Sequence, residues 1–193
     1  VDMIIIKGNK KTKDKVIRRE LVIKEGDLFD SRKLQLSREK VYNLGFFKQV
    51  NIDVRPGSRE GYMNLVVDVE EQPTGTISLG GGYGTTSGFS IFADVAENNL
   101  LGNGQRIGAR FEYGPERTSI TLSFNERWLV NQPIGVSASI FYNLYNVQSN
   151  QTVFPEIDQE SEYKREAFGY AVGLSYRFLD YYSVGTSWSH AFT

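Results

Sequence analysis

Two glycine-rich runs carry the residue types of a phosphate cradle: GYGTTSG over residues 82–88 and GNGQRIG over residues 102–108. Backbone amides bared by glycine can wrap an anion. The mechanism also needs the run to open a helix, whose first N–H groups complete the site. Neither run does. The residues after each alternate apolar and polar with period two, so both read as hairpin turns. Four alternating carboxylates, Glu156, Asp158, Glu160 and Glu162, could gather a hard cation, but that spacing is commonplace in solvated loops. His190 is the only histidine and there is no cysteine. A histidine-dependent triad, a zinc site and thiol chemistry therefore lack their residues. No Gly-x-Ser-x-Gly elbow is present. The chain reads as a non-enzyme that takes no cofactor and no metal.

The chemistry must then lie in the elements themselves. The 193 residues hold 22 basic and 23 acidic side chains, a balance unlike that of a nucleic-acid binder. No apolar run approaches the roughly 20 residues of a membrane-spanning helix. The start, VDMIIIKGNK, has neither the basic opening nor the cleavage site of a signal peptide, so the sequence reads as an excerpt or a processed product. Composition changes near Pro73. Lys, Glu and Val dominate before it; Gly, Ser, Thr, Tyr and Phe dominate after it. Two domains are expected, residues 1–72 and residues 73–193.

The first has the order strand, helix, helix, strand, strand. MIIIKGN reads as a strand. Thr12 is the expected N-cap of a short helix carrying Ile17 and Leu21. Asp30 or Ser31 caps a second helix, with Leu34, Val41 and Leu44 on one face and Gly45 as its stop. Val50, Ile52 and Val54, then Leu65, Val67 and Val69, mark two strands joined by RPGSREG. A three-stranded sheet covered on one face by two helices follows, with open edges suited to docking.

From Gly75 onward the period stays at two through about seven strands. Their apolar faces are uninterrupted, and their other faces are rich in Ser, Thr, Gly, Arg and Asn. Strands of this length suit a tilted crossing of a bilayer with a wet lumen behind them. A soluble all-β sandwich or barrel is the competing reading. Trp128, Phe178, Tyr181 and Tyr182 lie near strand ends, where an aromatic girdle would sit. The first of these strands is unusual. Gly75, Ile77, Leu79, Gly80, Gly81, Gly82, Tyr83 and Gly84 combine strand alternation with glycines that weaken a strand.

The stretches GNKKTKDKVIRREL, LGFFKQVNIDV and VDVEEQPTGTISLGGGYGTTSGFS, followed by ENNLLGNGQ, closely resemble the BamA family of bacterial outer-membrane β-barrel assembly proteins. The resemblance covers nearly the whole chain. It implies an α+β POTRA domain (β-α-α-β-β) in the periplasm, followed by antiparallel transmembrane strands forming part of a barrel in the bacterial outer membrane. It implies partners: unfolded outer-membrane proteins, accessory assembly lipoproteins and outer-membrane lipid, with no nucleic acid. It also implies that the first barrel strand lies at a weak seam that opens sideways, which makes Gly75 to Gly84 the lateral-gate strand. Relief of crowding or bending is the rival role for these glycines. On the POTRA segment Arg18, Arg19, Glu20 and Glu25 are candidates for docking an accessory lipoprotein; an ordinary solvated helix face is the alternative. Two-partner-secretion and TamA-type transporters share the architecture and supply the second reading of function.

Overall fold

The computed structural model describes residues 1–85, 88–149, 161–179 and 182–193. Tyr181 and the carboxylates Glu156, Asp158 and Glu160 lie outside the described residues. The chain divides into two compact units, Val1–Gly75 with Asn98–Gln105, and Thr76–Glu97 with Arg106–Thr193.

In the first unit, β1 (Ile4–Lys7), α1 (Asp14–Arg18), α2 (Ser31–Tyr42), β2 (Phe47–Pro56) and β3 (Met63–Glu71) follow in that order. The sheet order is β1-β3-β2, with β3 parallel to β1 and antiparallel to β2. The central strand β3 carries the most apolar run, and Leu65, Val67 and Val69 are buried with Val16, Ile17, Leu21, Val41, Phe47 and Val50. Leu34, Leu44 and Ile52 pack against this cluster. Val54, read from its spacing as one of the apolar strand positions, is exposed toward the far end of β2. Asp30 caps α2, its Oδ1 accepting the Arg32 N–H at 2.8 Å. The first cap is a correction. α1 is capped by Lys13 with no side-chain hydrogen bond. Thr12 is buried instead, because its hydroxyl is taken by tertiary partners: it accepts from Asn99 at 2.8 Å and is bonded to Glu71.

The second unit holds most of a seven-stranded antiparallel sheet: β4 (Gly75–Gly84), β5 (Gly88–Leu100), β6 (Gln105–Tyr113), β7 (Arg117–Glu126), β8 (Ile134–Ser149), β9 (Ser161–Leu179) and β10 (Tyr182–Phe192). Neighbours in sequence are neighbours in the sheet, so β4 and β10 are its edges. Because side chains alternate along each strand, the register sorts them into two faces. On one, Phe111 pairs with Ile120, Leu122 with Ile140, Val136 with Leu174 and Val172 with Trp188. On the other, Gly108 pairs with Ser123, Ser137 with Gly173 and Ser175 with Gly185. Most of the apolar face is exposed, with Phe124, Ile134, Val136 and Tyr170 half-buried. Among the described residues these side chains do not pack into a sealed interior. Along β9 the apolar row runs from Phe168 to Phe178, with Glu166 and Lys164 beyond it. At about 3.3 Å per residue and a tilt of about 40°, that row rises roughly 25 Å, the height of the apolar band of an outer-membrane barrel. Among the described residues no helix is long and apolar enough to cross a membrane.

Candidate functional site at the glycine-rich edge

β4 is paired on one side only, by β5. Its Ile77 and Leu79 are 76% and 78% exposed. The apolar residues of inner strands, such as Ile107 and Leu122, are about half exposed because neighbours flank them on both sides. Within this chain β4 is one edge of the sheet and β10 the other, and the outer backbone N–H and C=O groups of β4 can pair with a further strand.

The glycines of β4 differ from one another. None of Gly80, Gly81, Gly82 and Gly84 has a positive φ, so none is demanded by backbone conformation. A Cβ on Gly80 would meet the ring of Phe92 at 2.5 Å. That ring also lies under the Arg110 guanidinium, 4.7 Å from its centre. Gly80 thus makes room for an aromatic–cation pair on the polar face. A Cβ on Gly81 would come 3.1 Å from the Ser90 carbonyl oxygen. A Cβ on Gly82 would meet nothing within 4 Å. Within this chain Gly80 and, less closely, Gly81 are crowded, and Gly82 is not.

Of the aromatic residues near strand ends, Phe178 and Tyr182 stack across the β9–β10 end, with ring centres 6.2 Å apart and planes at 22°. Trp128 is half-buried beyond β7. A second aromatic group is absent from the sequence reading. Tyr170, Trp188, His190 and Phe192 meet on the apolar face toward the other end of β9 and β10, with the His190 ring 4.5 Å from that of Phe192. The register makes it visible, because it sets His190 beside Tyr170. In sequence the two are separate strands.

The POTRA candidates are engaged within their own unit. Arg18 Nη1 lies 3.0 Å from Glu25 Oε1, and Arg18 Nη2 donates to the Ile4 carbonyl at 3.0 Å. Glu25 Oε1 accepts the Ile4 N–H at 3.0 Å. That N–H and the Arg18 guanidinium hold the Glu25 carboxyl below its ordinary range. Arg19 Nη2 reaches the Asn103 carbonyl at 3.4 Å, and Glu20 is half-buried. Arg18 and Glu25 thus clamp β1 to the connection between the helices. Among the described residues no three His, Asp or Glu side chains form a metal-binding group.

Residues 1–72 match the POTRA model, described as a surface antigen variable number repeat, and residues 99–193 match the Omp85 superfamily domain. The outer membrane protein assembly factor BamA of Neorickettsia risticii is 37% identical over 147 residues, which is 76% of this chain and 20% of that protein. Among solved structures, BamA from Haemophilus ducreyi lacking POTRA domains 1–3 superposes with a TM-score of 0.81 at 25% identity, over 98% of this chain and 35% of that one. CdiB from Acinetobacter baumannii superposes with a TM-score of 0.62 at 16% identity, over 99% of this chain and 38% of that one, a likeness of fold alone. The chain spans about a fifth of the length of the curated relatives it matches. With a POTRA domain followed by strands of an Omp85 barrel, the chain belongs to the BamA family of the Omp85 superfamily, outer-membrane proteins whose POTRA segment, here residues 1–72, is periplasmic.

Proposed function

We propose that this chain serves an outer-membrane protein assembly factor that folds and inserts β-barrel proteins by offering β4 as a template. Its substrates are unfolded outer-membrane proteins, whose strands add to the free edge of β4 through backbone hydrogen bonds. No covalent bond is made or cut. The work is done by templating and by local disturbance of outer-membrane lipid beside the apolar face. The observation that carries this reading is Gly82: an edge position with room for a side chain, no conformational need for glycine, and yet no side chain. A bare edge releases its own partner at low cost and accepts a newcomer of any sequence. Accessory lipoproteins dock on the POTRA face around Arg18, Arg19, Glu20 and Glu25. Because Arg18 and Glu25 bind each other, that idea is tested by the exchanged pair Arg18→Glu with Glu25→Arg, which keeps the ion pair, reverses its polarity and gives up the two bonds to Ile4. Unchanged co-purification of partners would count against docking there.

The template reading is tested in the intact protein by a disulfide between an introduced cysteine in β4 and one in the barrel's last strand. Locking is expected to abolish assembly of other barrels and reduction to restore it; full activity while locked removes the gate. The second reading is a two-partner-secretion or TamA-type exporter, which the fold shared with CdiB supports. Depletion in cells separates the two. An assembly factor takes many outer-membrane proteins down with it, whereas an exporter takes one exported polypeptide.

A further inference from the structure

Residues 98–105 stand in sequence between the bulk of β5 and that of β6, yet they are built into the first unit. Asn99 is at the centre of this arrangement and is 1% exposed. Its Nδ2 donates to Thr12 Oγ1 at 2.8 Å, and its Oδ1 accepts the Gly104 N–H at 2.8 Å. One end of the amide therefore grips the POTRA domain while the other closes the turn. The Lys13 N–H donates to the Gly102 carbonyl at 2.9 Å. Asn98 donates to the Thr74 carbonyl from its backbone at 3.1 Å and from its side chain at 2.9 Å. Gly102 has φ +72°, and a Cβ there would overlap the Lys11 carbonyl oxygen, so the turn lies directly on that loop.

The receiving loop is itself fixed. The Glu71 carboxylate accepts the N–H groups of Lys10 at 3.1 Å, Lys11 at 3.0 Å and Thr12 at 2.6 Å. The sequence Glu71, Thr12, Asn99, Gly104 is thus one continuous hydrogen-bonded path from the end of β3 to the β5–β6 turn. Buried amides of this kind are costly to leave half-satisfied, so the path acts as a unit.

We infer that Asn99 is a positioning residue for strand exchange. It fixes the β5–β6 turn in the POTRA domain, so the base of these two strands stays in place while β4 changes partners. The inference rests on the reading of β4 as the template. Only an amide fits, since position 99 must donate to Thr12 and accept from Gly104 at once. Asn99→Asp keeps the shape and removes the donor.

The test uses the intact protein in lipid vesicles, with peptide-resolved hydrogen exchange and an assembly assay. Asn99→Asp is expected to speed exchange across residues 98–105 and at Lys13 by about tenfold, and to lower assembly severalfold. The chain has no cysteine, so Lys13→Cys, beside the Gly102 carbonyl, can be joined to Asn103→Cys by a short bismaleimide. The joined protein is expected to assemble substrates as well as the unjoined pair, and joining is expected to restore assembly in the Asn99→Asp background. Exchange unchanged by Asn99→Asp, assembly unaffected by a freed turn, or an inactive joined protein would each overturn the inference. Failure of the template reading looks different. There the β4 disulfide leaves assembly intact, while Asn99→Asp still frees the turn.

Discussion

Leu65 on β3 and Leu122 on β7 both lie in strands where apolar residues recur at every second position. Leu65 is 0% exposed and Leu122 is 46% exposed. In the POTRA sheet two helices form a second layer, and Val16, Ile17 and Val41 close over the apolar face. In the barrel sheet no second layer among the described residues covers the apolar face of β7, and the opposite face of β6 and β7 carries Ser, Thr, Gly and Arg. Period two thus says which side chains share a face. What that face meets is decided elsewhere: by helical segments within reach in one case, by small polar residues behind the strand in the other. The comparison predicts unequal answers to the same substitution. Leu65→Ala leaves a cavity in a closed core and is expected to cost about 2–5 kcal/mol. Leu122→Ala removes surface from lipid contact and is expected to cost well under half as much. Guanidinium unfolding of the intact protein in vesicles measures both, and equal losses would erase the distinction.

A charge sharpens the same comparison within the barrel. Leu122→Arg places a guanidinium on the apolar face and is expected to cost about 2–4 kcal/mol near the bilayer midplane. Ser139 lies on the opposite face, paired with Ser123. Ser139→Arg is expected to cost much less, because the lumen is wet. Matching penalties for the two arginines would mean that the faces are assigned wrongly.

The third contrast is electrostatic and confined to the POTRA domain. Burial alone would raise the Glu71 carboxyl, but the N–H groups of Lys11, Thr12 and Lys10 outweigh it and hold the group below its ordinary 4.5. A lowered folded-state value means that the stabilisation is complete above about pH 4.5 and is lost as the pH falls through the lower, folded value. Glu71→Gln is therefore expected to cost about 1 kcal/mol at pH 7, after allowance for partial exposure to solvent. Thermal unfolding from pH 7 to pH 3 should show the gap between parent and variant constant down to about 4.5 and closing below it. A gap that widens in acid would sink the assignment.

How far the sequence revealed these features depends on how local their causes are. The seven barrel strands are set by side-chain alternation, which is written residue by residue, and β4 to β10 follow it closely. Asp30 was readable as a cap because its partner is two residues away. Thr12 was misread as a cap because its partners, Asn99 and Glu71, are far away in sequence. The same distance hid the seating of the β5–β6 turn. The turn LLGNG could be recognised from its glycines, whereas the surface that receives it could not. The cluster of Tyr170, Trp188, His190 and Phe192 was hidden because it depends on the register of two strands. The glycines of β4 were legible as an anomaly, and only the coordinates separate Gly80, pressed by Phe92, from Gly82, which has open space.

That separation gives the smallest stability effect and the most direct test of the seam. Gly80→Val drives a branched side chain into the Phe92 ring, so it should destabilise the β4–β5 pair and disturb the Arg110 contact. Gly82→Val meets no obstacle and replaces a weak strand former by a strong one, so folded stability should stay level or rise by up to about 1 kcal/mol. If β4 merely closed a wall, the second variant would be harmless or beneficial in every assay. If β4 must let go of its neighbour and accept a passing strand, a better-packed edge releases more slowly. Gly82→Val should then slow assembly of other barrels while leaving its own barrel at least as resistant to unfolding. Vesicle-based assembly rates read beside the unfolding midpoint of the same preparations decide the matter: a rate that tracks stability upward argues for a wall, and a rate that falls as stability holds argues for a gate.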